Sequence, residues 1–217
     1  MLRSLVGSEM CIRDRYRNHG INKIHVVRGY MKESINYPEL NYIDNDDYDT
    51  TSELSSFHKA IDQISGDIIC SFGDVLFKPY LLQLLDECED DLVIVIDTQW
   101  KDSVNKDRAA DYVNCSQPHS RANYGDSIFL ESAGENLGEE SIHGEWMGII
   151  KISSGILPTV REEVESLSKL ENFDSMNMHH LLEHLCRLKQ PIRVVYTTGN
   201  WLDVDTLEDV IRANNFI

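Results

Sequence analysis

The sequence predicts a single α/β layered domain, with strands and helices alternating around a covered sheet. Three observations predict it. Two stretches, DIICSFGDVLF over residues 67–77 and DLVIVIDT over 91–98, open on runs of small or apolar residues. Such runs are typical of strands buried on both faces, as in a parallel sheet covered by helices. Between and beyond them lie segments with helical spacing, such as the apolar positions 54, 57, 60, 61 and 64. Strand-type and helix-type segments then alternate to the end of the chain, with no internal repeat and no linker.

Each element follows from local pattern. Tyr16–Gly20 reads as a helix tail closed by Gly20. Residues 21–27 (INKIHVV) read as a strand, 32–35 as a short helix and 40–44 as a short strand. The acidic stretch 45–51 is a loop, and Gly66 ends the helix of 52–64. The strand from Asp67 stops at Gly73-Asp74, where glycine permits a sharp turn that a side chain would obstruct. Leucines 81, 82, 84 and 85 mark a helix over 79–87. The next strand, 91–98, carries Asp97 at its end. Residues up to Tyr124 are polar and irregular, apart from a strand near 111–115. Strands are expected at 126–131, 146–152 and 191–197, and helices at 156–170, 176–188 and 206–214. Residues 132–142 and 199–205 read as loops.

The chain has 217 residues, enough for one domain with a real core. Lys and Arg number 20 against 37 Asp and Glu, a net charge of −17. That excludes a nucleic-acid backbone or an anionic membrane surface as the natural partner. A nucleotide remains possible where a metal ion bridges it to carboxylates. Five scattered cysteines without a C-x-x-C pair indicate reduced thiols and a cytoplasmic setting. No apolar run is long enough to span a bilayer.

Residues 1–15 stand apart. The string SLVGSEMCIRDR resembles the translated read-through of a sequencing-library adapter. The expectation is therefore a non-native segment 1–15 followed by a domain over 16–217 whose true start is missing.

Asp74 is a carboxylate at the carboxyl end of a central strand, where open α/β sheets bind ligands. It can hold a divalent cation against a phosphate, or cap the helix beginning near Lys78-Pro79. Asp203 and Asp205, two apart in an extended segment, point the same way and can reach one ion. Asp205 with Glu208 also reads as a helix N-cap. His180-Leu-Leu-Glu183-His184 fits a zinc-hydrolase pattern. It lacks a third ligand downstream and flanks an apolar stripe, which suits exposed histidines. The acidic run 44–49 lacks the spacing of a calcium loop and reads as solvated.

Six strings, VVRGY (26–30), TSELSS (51–56), SFGDVLF (71–77), CSQPHSR (115–121), HGEWMG (143–148) and WLDVD (201–205), occur in an order that resembles one family. It is the nucleotidyltransferase domain found alone, or fused behind phosphoenolpyruvate mutase, in phosphonate-modifying bacteria. Phosphocholine cytidylyltransferases and sugar-phosphate nucleotidyltransferases are its wider relatives. The resemblance implies a Rossmann-like mixed, mostly parallel sheet with helices on both faces, of nucleotide-diphospho-sugar transferase type. It implies transfer of CMP from CTP, with Mg2+, to a small phosphonate such as 2-aminoethylphosphonate or to a phosphocholine-like acceptor, releasing pyrophosphate. The alternatives are a sugar-phosphate nucleotidyltransferase and a non-catalytic binding module. Fusion to or association with phosphoenolpyruvate mutase is a further implication.

Carried over residue by residue, Asp74, Asp203 and Asp205 match the metal ligands, with Asp74 and Asp205 catalytic. Glu53, Ser56, Gly73 and Arg28 fall by the nucleotide. Capping by Thr51 or Ser52, and a surface arginine, are their plainer readings. Arg121, Glu145 and Trp146 are acceptor-site candidates: arginine suits a phosphonate, and tryptophan beside a carboxylate suits an ammonium head. A loop salt bridge and a core tryptophan are the alternatives. The family's first strand, Gly-rich loop and Pro-Lys have no counterpart here. The chain as given is therefore expected to be inactive and poorly soluble.

Overall fold

The computed structural model describes residues 5–102, 110–123 and 125–216, with side chains from Cys11 onward. Residues 103–109 and 124 belong to the stretch expected to be irregular and lie outside the described residues. In chain order the elements are α1 (Leu5–Asn18), β1 (His25–Arg28), β2 (Asn41–Asp44), α2 (Glu53–Ile61), β3 (Ile68–Ser71), β4 (Val75–Phe77), α3 (Tyr80–Glu87), β5 (Leu92–Asp97), β6 (Tyr112–Cys115), β7 (Leu130–Gly134), β8 (Gly144–Ile152), α4 (Leu157–Leu167), α5 (Met178–Arg187), β9 (Arg193–Thr197), β10 (Trp201–Asp203) and α6 (Leu207–Phe216).

The main sheet runs β7-β6-β8-β5-β9, and β3 joins β8 along the same edge as β6. Four of its six strands, β3, β5, β6 and β9, point the same way, which agrees with the mostly parallel sense expected. The ladders themselves differ from that expectation. Only β5 and β9 pair in parallel within this sheet, because β8 runs backwards between β3 and β5. Strand order is not encoded in apolar runs, so the inserted antiparallel strand was invisible to pattern.

Strand β5 shows why the sheet is covered on both sides. Leu92, Ile94 and Ile96 enter one core with α2, α4 and α5, while Val93 and Val95 enter a second with α1, α3 and α6. Successive side chains point to opposite faces, so a strand with no polar interior position requires two helical layers. Helices on both faces follow, as expected. The β6–β7 end curls round to β9 through Leu130 N–H to Ile192 O and Val194 N–H to Ile128 O.

Some boundaries move. Strand β3 is not buried on both faces: Ile69, Cys70 and Ser71 are half-buried, and among the described residues the strand pairs with β8 alone. The strand expected at 126–131 is β7 at Leu130–Gly134, since residues 128–130 bond β9 before the ladder with β6 begins. Two short strands form a separate antiparallel ribbon: β4, in residues 75–77 to which no element was assigned, and β10, in the segment read as a loop. Strands β1 and β2 form a parallel pair of their own. The segment set aside in the fold expectation contributes to α1, and Ile12 and Tyr16 pack into the second core. Cysteines 11, 70, 88, 115 and 186 are all free thiols. Among the described residues no helix is long and apolar enough to cross a membrane.

Candidate active site

The β4–β10 ribbon builds the site. Its register sets Asp203 opposite Val75, and the Val204 amide donates to the carbonyl of Asp74 at 3.1 Å. Asp74, just before β4, and Asp203, at the end of β10, are thus fastened side by side by backbone bonds. Asp205 follows two residues on. One oxygen from each of Asp74, Asp203 and Asp205 lies within 4.8 Å of the others. Three carboxylate oxygens so close fit a hard divalent cation, which takes oxygen ligands.

The structure separates Asp205 from the cap expected of it. Asp209, fully buried, accepts the Thr206 amide at 3.0 Å, while Thr206 Oγ1 accepts the Asp209 amide at 3.3 Å. That is a capping box on Thr206 and Asp209, one residue beyond the expected pair, and it leaves Asp205 outside the cap.

Asp97 holds the far end of the ribbon. Its buried carboxylate accepts Gln99 N–H at 2.9 Å, Gly199 N–H at 2.8 Å and the Trp201 indole N–H at 2.8 Å. The central strand β5 therefore fixes the loop that delivers Asp203 and Asp205. Gly73 plays a different part from the one expected. Its φ is not positive, and a Cβ there would meet no atom within 4 Å, so the turn does not demand glycine.

A cavity of about 430 Å³ opens over the three aspartates. Glu53, Gly73, Asp74, Glu145, Trp146, Asp203 and Asp205 line it together with Asp111, Glu135, Asn177 and Trp201. Seven of these side chains are carboxylates, so the cavity suits cations and cation-bridged anions. Glu53 Oε2 accepts the Met178 amide at the start of α5, at 3.2 Å. Burial pushes the Glu53 carboxyl up; that amide opposes the shift, and Asp111 and Asp74 add to it. Glu145 and Trp146 are each 3% exposed. The Trp146 indole donates to Ile149 O at 2.9 Å and its ring packs edge-on to Phe72, so it serves as a core side chain as well as cavity wall.

Three expected residues do not line the cavity. Arg28 donates to Asp44 at 2.8 Å, donates to the carbonyls of Lys32 and Ile35, and lies over Tyr42. Ser56 Oγ accepts Asn45 Nδ2 at 3.1 Å. Arg121 sits exposed in a short helical turn over 121–123. The H-x-x-E-H histidines also go separate ways. His180 Nδ1 accepts the Asn177 amide in the cap of α5, and His184 Nε2 lies 2.7 Å from Glu163. The acidic run 44–49 is tied to Lys32 and Lys59.

Sequence reasoning missed Asp97, Asp111, Glu135 and His179. For Asp97 the strand-end carboxylate was visible, but not its three donors. His179 lay beside the more conspicuous H-x-x-E-H pattern.

No family model matches the chain. It is 25% identical over 210 residues, 89% of this chain and 81% of the relative, to the CTP:phosphoglutamine cytidylyltransferase of Campylobacter jejuni. Among solved structures it resembles the inositol-1-phosphate CTP transferase from T. maritima, with a TM-score of 0.71 and 16% identity over 94% of this chain and 78% of that one. It also resembles the CTP:phosphocholine cytidylyltransferase from Streptococcus pneumoniae, with a TM-score of 0.67 and 12% identity over 96% of this chain and 84% of that one. A UDP-glucose pyrophosphorylase complexed with UDP-glucose gives 0.70 at 11% identity, covering 97% of this chain and 85% of its own. The chain therefore has an α/β fold of the nucleotidyltransferase type.

Proposed function

We propose that the protein is a Mg2+-dependent nucleotidyltransferase that moves CMP from CTP to a small phosphonate or phosphate acceptor, such as 2-aminoethylphosphonate or a phosphocholine-like molecule, with release of pyrophosphate. The observation that carries this reading is the convergence of Asp74, Asp203 and Asp205 on one point. Support for a cytidylyl donor comes from the cytidylyltransferase relative and neighbours.

The acceptor oxygen attacks the α-phosphorus and pyrophosphate leaves. Both reactants are anions, so the site must suppress their repulsion and hold them in line. Asp74, Asp203 and Asp205 would hold Mg2+, which would supply positive charge to offset the repulsion between the two anions. Asp97 sets the position of two of those ligands through the ribbon. The acidic wall of Glu53 and Glu145 favours an acceptor whose tail is cationic, such as an ammonium. The sugar-nucleotide neighbour supports a second reading, a sugar-phosphate acceptor.

A panel of acceptors with CTP and Mg2+, followed by pyrophosphate release, separates the two. The protein is expected to turn over an ammonium-bearing acceptor in preference to a sugar phosphate. Asp74→Ala is expected to abolish turnover; full activity in that variant would overturn the proposal.

A further inference from the structure

We propose that Asp111, Glu135 and His179 form a second divalent-cation site, of the imidazole-and-carboxylate class that suits Zn2+, distinct from the all-oxygen set at Asp74, Asp203 and Asp205. One ligand atom from each of the three residues lies within 4.8 Å of the others. The proposal does not depend on the nucleotidyl-transfer reading.

The fold brings these residues together from three elements. Tyr112 pairs with Gly134 in the β6–β7 ladder, so Asp111 and Glu135 face each other one step beyond its end. Two like charges in that relation repel, and a cation between them relieves the repulsion. His179 closes the third side from the first turn of α5, its Nδ1 hydrogen-bonded to Asp111 Oδ1 at 2.6 Å, so Nδ1–H orients the ring and Nε2 is the nitrogen left to take the ion. It is 6% exposed, so its ring is fixed by packing. Asn177, the N-cap of α5, reaches Glu135 Oε1 at 3.4 Å, and Glu53 accepts the Met178 amide. The helix start is thereby anchored on both sides of the cluster.

The donor set decides the ion. Imidazole nitrogen with carboxylate oxygen suits Zn2+, whereas Mg2+ prefers oxygen and retained water. Three protein ligands leave the fourth tetrahedral position open, the arrangement in which a Zn2+ can also take a small ligand. Asp111 and Glu135 line the cavity shared with Asp74, so that open position has a route to bound molecules.

The test is metal binding by the full chain without nucleotide. Zn2+ titration is followed by calorimetry, and Co2+ substitution by visible absorption. The expected result is one equivalent of Zn2+ retained in Asp74→Asn and in Asp205→Asn. Glu135→Gln alters an exposed side chain, so folding is not at risk, and it should weaken binding about tenfold or more. His179→Gln should remove binding, and with it the absorption of the Co2+ form. Three results would overturn the proposal: no Zn2+ bound by the unaltered chain, affinity unchanged by Glu135→Gln, or binding lost in Asp74→Asn while Glu135→Gln retains it.

Discussion

Gly148 lies inside β8 with φ at +71°, and a Cβ there would come within 2.2 Å of the Phe72 ring. The β5–β8 register shifts at this point, from Ile94 opposite Ile150 to Ile96 opposite Trp146. Gly148→Ala therefore combines left-handed backbone strain with overpacking, together about 2–4 kcal/mol. Urea unfolding measures it; a loss of only about 1–2 kcal/mol would mean that Phe72 moves aside and the backbone strain alone remains. At this scale the sequence was partly legible. Of the candidate ligands, Asp74 stood out as a carboxylate at the end of an apolar run, and Asp203 and Asp205 by their spacing of two and by the family resemblance of the strings around them. Asp111 and Glu135 did not, because each is one acidic residue among many in a chain with 37. Arg28 and Arg121 were drawn towards phosphate by the resemblance and by their charge; Arg28 instead secures the turn around residues 32–35.

Elements tell a similar story at their ends. The helix at the C-terminus was legible, but the cap offered as a second role for Asp205 falls one residue early. Bonding shows Thr206 in that role, and separate experiments can part the two residues. Thr206→Ala should cost about 1 kcal/mol of stability and leave divalent-ion affinity intact. Asp205→Asn should weaken ion binding and leave stability nearly unchanged in metal-free buffer. The reverse pattern would return Asp205 to the cap. The ribbon of β4 and β10 was unreadable because three-residue strands carry too few positions for a period of two to show. Its partners are also far apart in the chain, with Val75 against Asp203 and Phe77 against Trp201, and only the folded sheet brings them together. Strands such as β5, with six buried positions in succession, needed no such help.

For the molecule as a whole, the layered architecture was legible because alternating apolar periods determine which faces must be covered. Strand order was not, since an antiparallel strand between two parallel ones leaves no mark on local pattern. The charge of −17 has a global effect. Self-repulsion of that size opposes the compact state. Raising salt from about 0.01 M to about 0.15 M shortens the screening length from about 30 Å to about 8 Å. The melting temperature should rise by about 2–4 °C for each kcal/mol of repulsion removed. A midpoint that falls as NaCl is added would show that surface ion pairs such as Lys32 with Asp44 and Asp46 outweigh the repulsion.

The bond from the Trp201 indole to Asp97 makes the protein its own optical sensor. That fluorophore sits two residues from Asp203, on the segment that must stay in place for an ion to be grasped. Its emission colour and yield follow the polarity and hydrogen bonding around the ring, so occupancy of the aspartate cluster can be followed in a cuvette without attaching a dye. Trp146 also lines the cavity over that cluster, whereas Trp100 packs against Tyr112, so replacing those two by phenylalanine isolates the signal.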